Sequence, residues 1–271
     1  MNGFRAISGA LTEWNGTFLS FIKQLDADGV DYLSYSKVSS VESCEYRFFL
    51  QYVERVKVRE PWYFKKGNVF HRAASMAHRQ LAKGKLNHAP IERLVDKHFE
   101  DEDNRHLRNA IELLIQNAHA GFEVVDTELP FVLSLGRGLP PLIGVIDLLL
   151  HKDDEFLVVD HKTGKSLYTQ DELQLQLYRE HVRRVFNPKR LLACFDEYRW
   201  VNNLNRIRVP AFRRTHVRCT NRTWPKALRR IQDGHKTIRR IERTGKADSG
   251  SACYACHLKD VCDHASVGWS W

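Results

Sequence analysis

Apolar and polar positions follow two rhythms along this chain, and the change between them falls near residue 127. Upstream the period is helical. SYSKVSSVESCEYRFFLQYV, starting at Ser34, opens with serines able to cap a helix and continues as an amphipathic pattern, which predicts a helix to about Val53. After Pro61, KKGNVFHRAASMAHRQLAKGK predicts a second helix with Val69, Ala73, Met76 and Leu81 on one face. Ile111, Leu114, Ile115 and Ala118 repeat at helical spacing within residues 90–126, a stretch for one or two further helices. Residues 1–33 show no clear rhythm and read as an N-terminal extension.

The later rhythm belongs to strands. TELPFVLSL (127–135), LIGVIDLLLH (142–151) and EFLVVDH (155–161) are apolar, and the short turns between them leave no room for crossovers, so they form a meander. A helix over 171–186 follows, then a strand in LLACFDEYRW and another in RIRVPAF. A long basic helix spans about 221–243, and a cysteine-rich tail closes the chain. Helices, strands, one crossover helix and more strands predict an α/β fold, a central mixed sheet flanked by helices. The expected organisation is one domain over 34–265.

With 271 residues, 43% hydrophobic and 28% charged, the chain can bury a good-sized core. No apolar run reaches the roughly 18 residues that cross a bilayer, and MNGFRAISGALTEW lacks the features of a signal peptide. A cytoplasmic protein without membrane contact is the expectation. The formal net charge is +9, and arginine is concentrated between Arg183 and Lys246. Such a chain gains affinity for polyanions by releasing condensed counterions, and arginine's planar fork suits phosphate. Nucleic acid is the partner this points to.

The candidate chemistry lies in the strands. Asp160 and Lys162, in VVDHKTGK, are two residues apart and share a face of their strand. Asp147 stands in the strand before, which an antiparallel pairing brings beside them. A lone aspartate at a strand end is ordinarily a solvated turn residue, but two facing carboxylates can hold a hard divalent ion such as Mg²⁺. The His161 carbonyl offers a third oxygen, and Lys162 offers a cation for developing negative charge. Hydrolysis of a phosphodiester needs such a set.

Gly144-Val-Ile-Asp147, Asp160-His-Lys162-Thr-Gly164 and the helical Gln174 and Tyr178 of QLQLY, preceded by Gly67-Asn-Val-Phe-His71, together resemble the RecB-like branch of the PD-(D/E)XK nuclease superfamily. The resemblance implies a restriction-endonuclease-like core. It also implies Mg²⁺ or Mn²⁺ held by His71, Asp147, Asp160 and the His161 carbonyl, with Lys162 positioning or activating the attacking water. Gln174 and Tyr178 would contact the phosphate or brace the site. Glu128, in TELPF, matches an acidic position common in this branch.

Four cysteines form a further pattern: Cys253-x2-Cys256-x5-Cys262 in the tail and Cys44 far upstream. Their spacing suits zinc, with three thiolates and His257 or His264, as well as it suits an iron–sulfur cluster. The resemblance extends to the iron–sulfur subset of RecB-like nucleases, which includes CRISPR-associated exonucleases and AddB-type subunits. It implies a structural [4Fe–4S] cluster on Cys44, Cys253, Cys256 and Cys262. With the tail, it covers about residues 34–265.

The expected activity is exonucleolytic cleavage of single-stranded DNA ends in recombination, repair or phage DNA metabolism, in a prokaryotic or phage-infected cell, with endonuclease activity also open. No Walker-type phosphate loop is present, so no helicase motor is expected. The alternatives are a non-catalytic nucleic-acid-binding module and a zinc-stabilised accessory subunit of a recombination or CRISPR complex. A homo-oligomer is also open.

Overall fold

The computed structural model describes residues 2–14, 16–167, 170–200, 209–250, 253 and 256–265. The chain divides into two compact units. One comprises residues 1–61, 132–143 and 225–271, and the other residues 62–131 and 144–224.

In the discontinuous unit, α1 (Asn2–Thr12) and α2 (Phe18–Ala27) bury Ile7, Phe21 and Leu25 with Val132 and Ile143. The extension thus carries two helices. Leu33 pairs with Leu142 in an isolated parallel bridge. The helix expected from Ser34 to Val53 forms in pieces: α3 (Tyr35–Ser43), α4 (Glu45–Phe48) and a π-helical turn (Phe49–Val53). Ser34 caps α3 as its serine allows, accepting from the Lys37 N–H. The break falls at Cys44, whose extended backbone (φ −168°) ends one helix and caps the next through its own sulfur. The basic helix is α9 (Trp224–Thr244), whose Gly234 lies against Val38.

The other unit holds α5 (Trp62–Leu81), α6 (His88–Asp96) and α7 (Asp101–Gln116). Their apolar stripes, among them Phe70, Ala73, Val95, Leu107 and Leu114, pack with Tyr198 and Trp200. The sheet has the order β1 (Glu123–Leu133), β2 (Leu142–Lys152), β3 (Glu155–Gly164), β4 (Arg190–Arg199), β5 (Ala211–His216). β2 and β3 are antiparallel and joined by a two-residue loop, with Asp153 in the left-handed region as a tight hairpin requires. β3 and β4 run parallel, which demands the crossover supplied by α8 (Leu173–Phe186). Asn187, left-handed at φ 45°, ends α8 before Pro188. β5 is antiparallel to β4. Of the RIRVPAF strand expected over 206–212, residues 206–208 lie outside the described residues, and β5 begins only at Ala211.

Candidate active site

The β2–β3 ladder has its last pair at Leu148 and Val159. One further step of that register sets Asp147 opposite Asp160. There the side chain of Asp147 replaces the ladder: its Oδ2 accepts the backbone N–H of His161 at 2.8 Å. The two carboxylates thus face each other where the strands cease to pair.

His71 reaches the same point from α5. Its Nδ1 is 3.5 Å from Asp147 Oδ2 and 3.6 Å from Glu128 Oε1, and ligand atoms of all three residues lie within 4.8 Å of one another. Glu128 sits mid-strand in β1 with a left-handed φ of 55°. A non-glycine residue there is strained and interrupts the pleat, and it is this residue whose carboxylate meets His71.

Asp160 is fully buried, and neither of its carboxylate oxygens has an aligned hydrogen-bond donor. Its close partner is Lys162, whose Nζ makes an ion pair with Oδ2 at 2.7 Å. Lys162 Nζ also donates to Gln174 Oε1 at 2.8 Å, and Gln174 Nε2 donates to the Tyr178 hydroxyl at 2.6 Å. Gln174 and Tyr178 are one turn apart on α8, so one helix face fixes the lysine. Phe131 closes the far side of Tyr178 in an edge contact, ring centroids 5.7 Å apart.

Electrostatics follow from this crowding. Burial, reinforced by the charges of Asp160 and Glu128, raises the Asp147 carboxyl above the usual range, against the pull of His71 and Lys162. Burial works against a charged His71, but the Asp147, Glu128 and Asp160 carboxylates overcome it and raise the imidazole to about 9. Burial first, then the Asp160 and Asp147 charges, lift the Tyr178 hydroxyl well above its ordinary value. A buried carboxylate, beside a second carboxylate and an imidazole, is a donor set suited to a hard divalent cation, with the histidine favouring Mn²⁺ as well as Mg²⁺.

A profile of the PD-(D/E)XK nuclease superfamily matches residues 32–263. The chain belongs to the PD-(D/E)XK nuclease superfamily.

PD-(D/E)XK nucleases use divalent metals, and a RecB-like placement of this member is consistent with the match. Among solved structures the chain is similar to a "Putative exonuclease" from Eubacterium rectale, at 14% identity and a TM-score of 0.58, covering 91% of this chain and 92% of that one. At that identity the likeness concerns the restriction-endonuclease-like fold. A second structure, SSO0001, covers 92% of this chain and 99% of its own at 12% identity, with a TM-score of only 0.34. No curated protein matches the sequence.

In this PD-(D/E)XK protein the backbone and ring of His161 serve different neighbours. While its N–H meets Asp147, its imidazole stacks on His78, Nε2 to Nε2 3.2 Å, and approaches the Tyr198 hydroxyl at 3.3 Å. Burial lowers both imidazoles, His78 to about 4 and His161 well below its usual value, so the pair is neutral. Alternation in EFLVVDH places His161 opposite in direction to Asp160, but the partner from α5 left no mark in the sequence. Beside the pair, Arg214 grips both oxygens of buried Asp196, and His119 adds a contact at 2.9 Å. Although His119, Cys194 and Asp196 lie within 4.8 Å of one another, Arg214 already occupies the carboxylate. The arginine and histidine hold Asp196 far below the carboxylate range despite its burial.

The four patterned cysteines lie in the discontinuous unit and line one small pocket with Leu50, Leu258 and His264. Cys44 Sγ accepts the N–H of Arg47 at 3.3 Å and of Gly250 at 3.2 Å. A side chain on Gly250 has no room: a Cβ there would lie 2.2 Å from the Ser43 carbonyl oxygen and 2.9 Å from Cys44 Cβ. Tyr46 packs edge-on against His264, ring centroids 4.4 Å apart.

Proposed function

We propose that this chain is an Mg²⁺- or Mn²⁺-dependent deoxyribonuclease that hydrolyses phosphodiester bonds, acting as an exonuclease on single-stranded ends. The observation that carries this reading is the buried Asp160 carboxylate opposite Asp147, with the Lys162 ammonium fixed beside it at 2.7 Å. His71, Glu128, Asp147 and Asp160 are the residues that would hold the ion, with the His161 carbonyl as the further oxygen that the family resemblance implies. When bound, a divalent cation supplies Lewis acidity toward the phosphate and makes water a better nucleophile at neutral pH.

The chain's own residues do the positioning. Gln174 and Asp160 hold the Lys162 ammonium from two directions, so it can orient the attacking water or meet charge developing on the phosphate oxygens without reorganising. Tyr178 keeps the Gln174 amide in the orientation that accepts from Lys162. His71 carries a proton near neutrality in the metal-free site and must release it to act as a ligand, so metal affinity weakens as pH falls.

The cysteine pocket is proposed to hold a structural [4Fe–4S] cluster on Cys44, Cys253, Cys256 and Cys262. Four sulfurs around one pocket and two backbone N–H donors to Cys44 support it. Among the described residues no three of these sulfurs lie within 4.8 Å of one another.

Incubation with DNA labelled at either end tests the catalytic reading. Metal-dependent shortening, faster on single strands and abolished by EDTA, is expected, and the label released first gives the polarity. DNA binding without metal-dependent shortening of any substrate would overturn it in favour of a non-catalytic or accessory role.

A further inference from the structure

The first turn of α5 presents three aromatic residues in succession, Trp62, Tyr63 and Phe64, exposed to 45%, 40% and 44%. Successive residues on a helix are turned by about 100°, so three in a row sweep too wide an arc to face one core. Their rings meet each other edge-on, with centroids 6.0 Å apart for Trp62–Tyr63 and 4.8 Å for Tyr63–Phe64. Contiguous exposed apolar surface of this kind marks a binding site more often than scattered exposure does.

Charge is placed against these rings. Lys66 Nζ, buried and paired with Asp103, lies 4.6 Å from the Trp62 ring centre. Lys165 Nζ lies 5.2 Å from the same ring and its residue is exposed. No acidic residue stands in the first turn of α5.

The patch is also tied to the acidic pocket. Lys165 is three residues beyond Lys162, about 10 Å along extended chain. Trp62 precedes His71 by nine residues of one helix, about 14 Å of rise. At roughly 3.4 Å per stacked nucleotide, that is about four nucleotides.

Aromatic faces interleaved with lysine suit unpaired bases and their phosphates. A duplex keeps its base faces inside the stack and offers nothing for three rings to cover. We propose that Trp62, Tyr63 and Phe64 stack unpaired bases of the strand that enters the acidic pocket, with Lys165 meeting its backbone. This rests on the nuclease reading and assigns the residues that hold its single-stranded substrate about four nucleotides from the acidic pocket.

The test is binding in EDTA, measured by fluorescence anisotropy, to an oligothymidylate, to the same strand with abasic positions, and to a blunt duplex. Wild-type protein is expected to prefer the intact strand over the abasic one about tenfold or more. In Trp62→Ala/Tyr63→Ala/Phe64→Ala the two strands bind equally, and Trp62→Phe alone keeps most of the preference. Lys165→Ala lowers the slope of log affinity against log salt by about one. Melting curves check folding, and Tyr63→Ala alone, expected to lose part of the preference, serves if the triple variant is unstable. A triple variant, or failing that a Tyr63→Ala variant, with the wild-type preference overturns the platform. So does a wild-type protein that binds both strands equally, or a patch that instead dimerises the protein with no effect on that preference. Because cleavage is not read here, wild-type failure in the end-labelled digestion overturns the nuclease reading separately.

Discussion

Around the acidic pocket, the candidate ligands sit on β1, β2, β3 and α5, elements held by their own ladders and packing, and Asp147 already has a backbone donor. Around the cysteine pocket, three of the four sulfurs hang from a tail whose one regular described piece is a 3₁₀ turn (Lys259–Val261). The first site is prepared by the fold and lends its geometry to chemistry. The second is held by buried Leu258 and by contacts of Asp248, Gly250 and His264 with the Cys44–Tyr46 turn, and whatever binds the sulfurs adds to the order of that stretch of chain. Removal of a ligand should therefore have opposite signatures in the two places.

The largest effect expected is on catalysis. Asp160→Ala or Lys162→Ala should lower cleavage of labelled DNA by about a thousandfold or more while leaving DNA binding measurable. Stability should be kept or raised in Asp160→Ala, which relieves crowded buried carboxylates, and lowered in Lys162→Ala, which leaves Asp160 buried without its ion-pair partner. Unchanged cleavage in both variants would sink the assignment.

Cys256→Ala should show the reverse, a loss on the order of 3 kcal/mol in stability with the visible absorbance of the purified protein reduced. Gly250→Ala should approach it, since its Cβ meets backbone rather than a movable side chain. A Cys256→Ala protein as stable as its parent would remove the contrast between the sites.

The comparison can be sharpened with acid. Unfolded histidines titrate near 6.5, whereas burial lowers folded His78 to about 4 and lowers His161 well below its usual value. The unfolded chain therefore takes up protons first, and stability should fall as pH drops from about 6.5 toward 4. Asp196, held low by Arg214 and His119, contributes stability above the ordinary carboxylate pKa and loses it only at still lower pH. Denaturant midpoints across this range should slope less in His78→Gln, and an identical slope would remove His78 from the account.

The smallest effect separates position from chemistry at Glu128. Glycine tolerates the left-handed backbone that glutamate and alanine do not, so Glu128→Gly should be more stable than Glu128→Ala by about 1 kcal/mol. Both should lose cleavage alike. Equal melting temperatures would show that the strain is not felt.

Much of this was legible in advance because it depends on local period and spacing. The alternation in GVID and VVDHK gave the meander, and the turn of helix between Gln174 and Tyr178 placed both on one face. Cys44 was legible as a ligand candidate but not as a helix break, since its extended backbone goes with the tail packing against it. Glu128 could be matched to an acidic position, yet its left-handed conformation depends on neighbours distant in sequence. The His78–His161 pair was invisible for the same reason: two buried histidines 83 positions apart leave no periodic trace. Trp62, Tyr63 and Phe64 stood in plain view, but which of the three the core takes is decided only by their exposure in the fold.

The sulfur of Cys44 and the backbone that covers it are 206 residues apart. At about 5–20 residues per second, a ribosome needs roughly 10–40 seconds to make that intervening chain. Through that interval the first cysteine waits without its partners, while the segment bearing the acidic pocket has already emerged. Loading of the cysteine pocket thus follows synthesis of the tail, and a shortage of whatever fills it would act on maturation rather than on turnover.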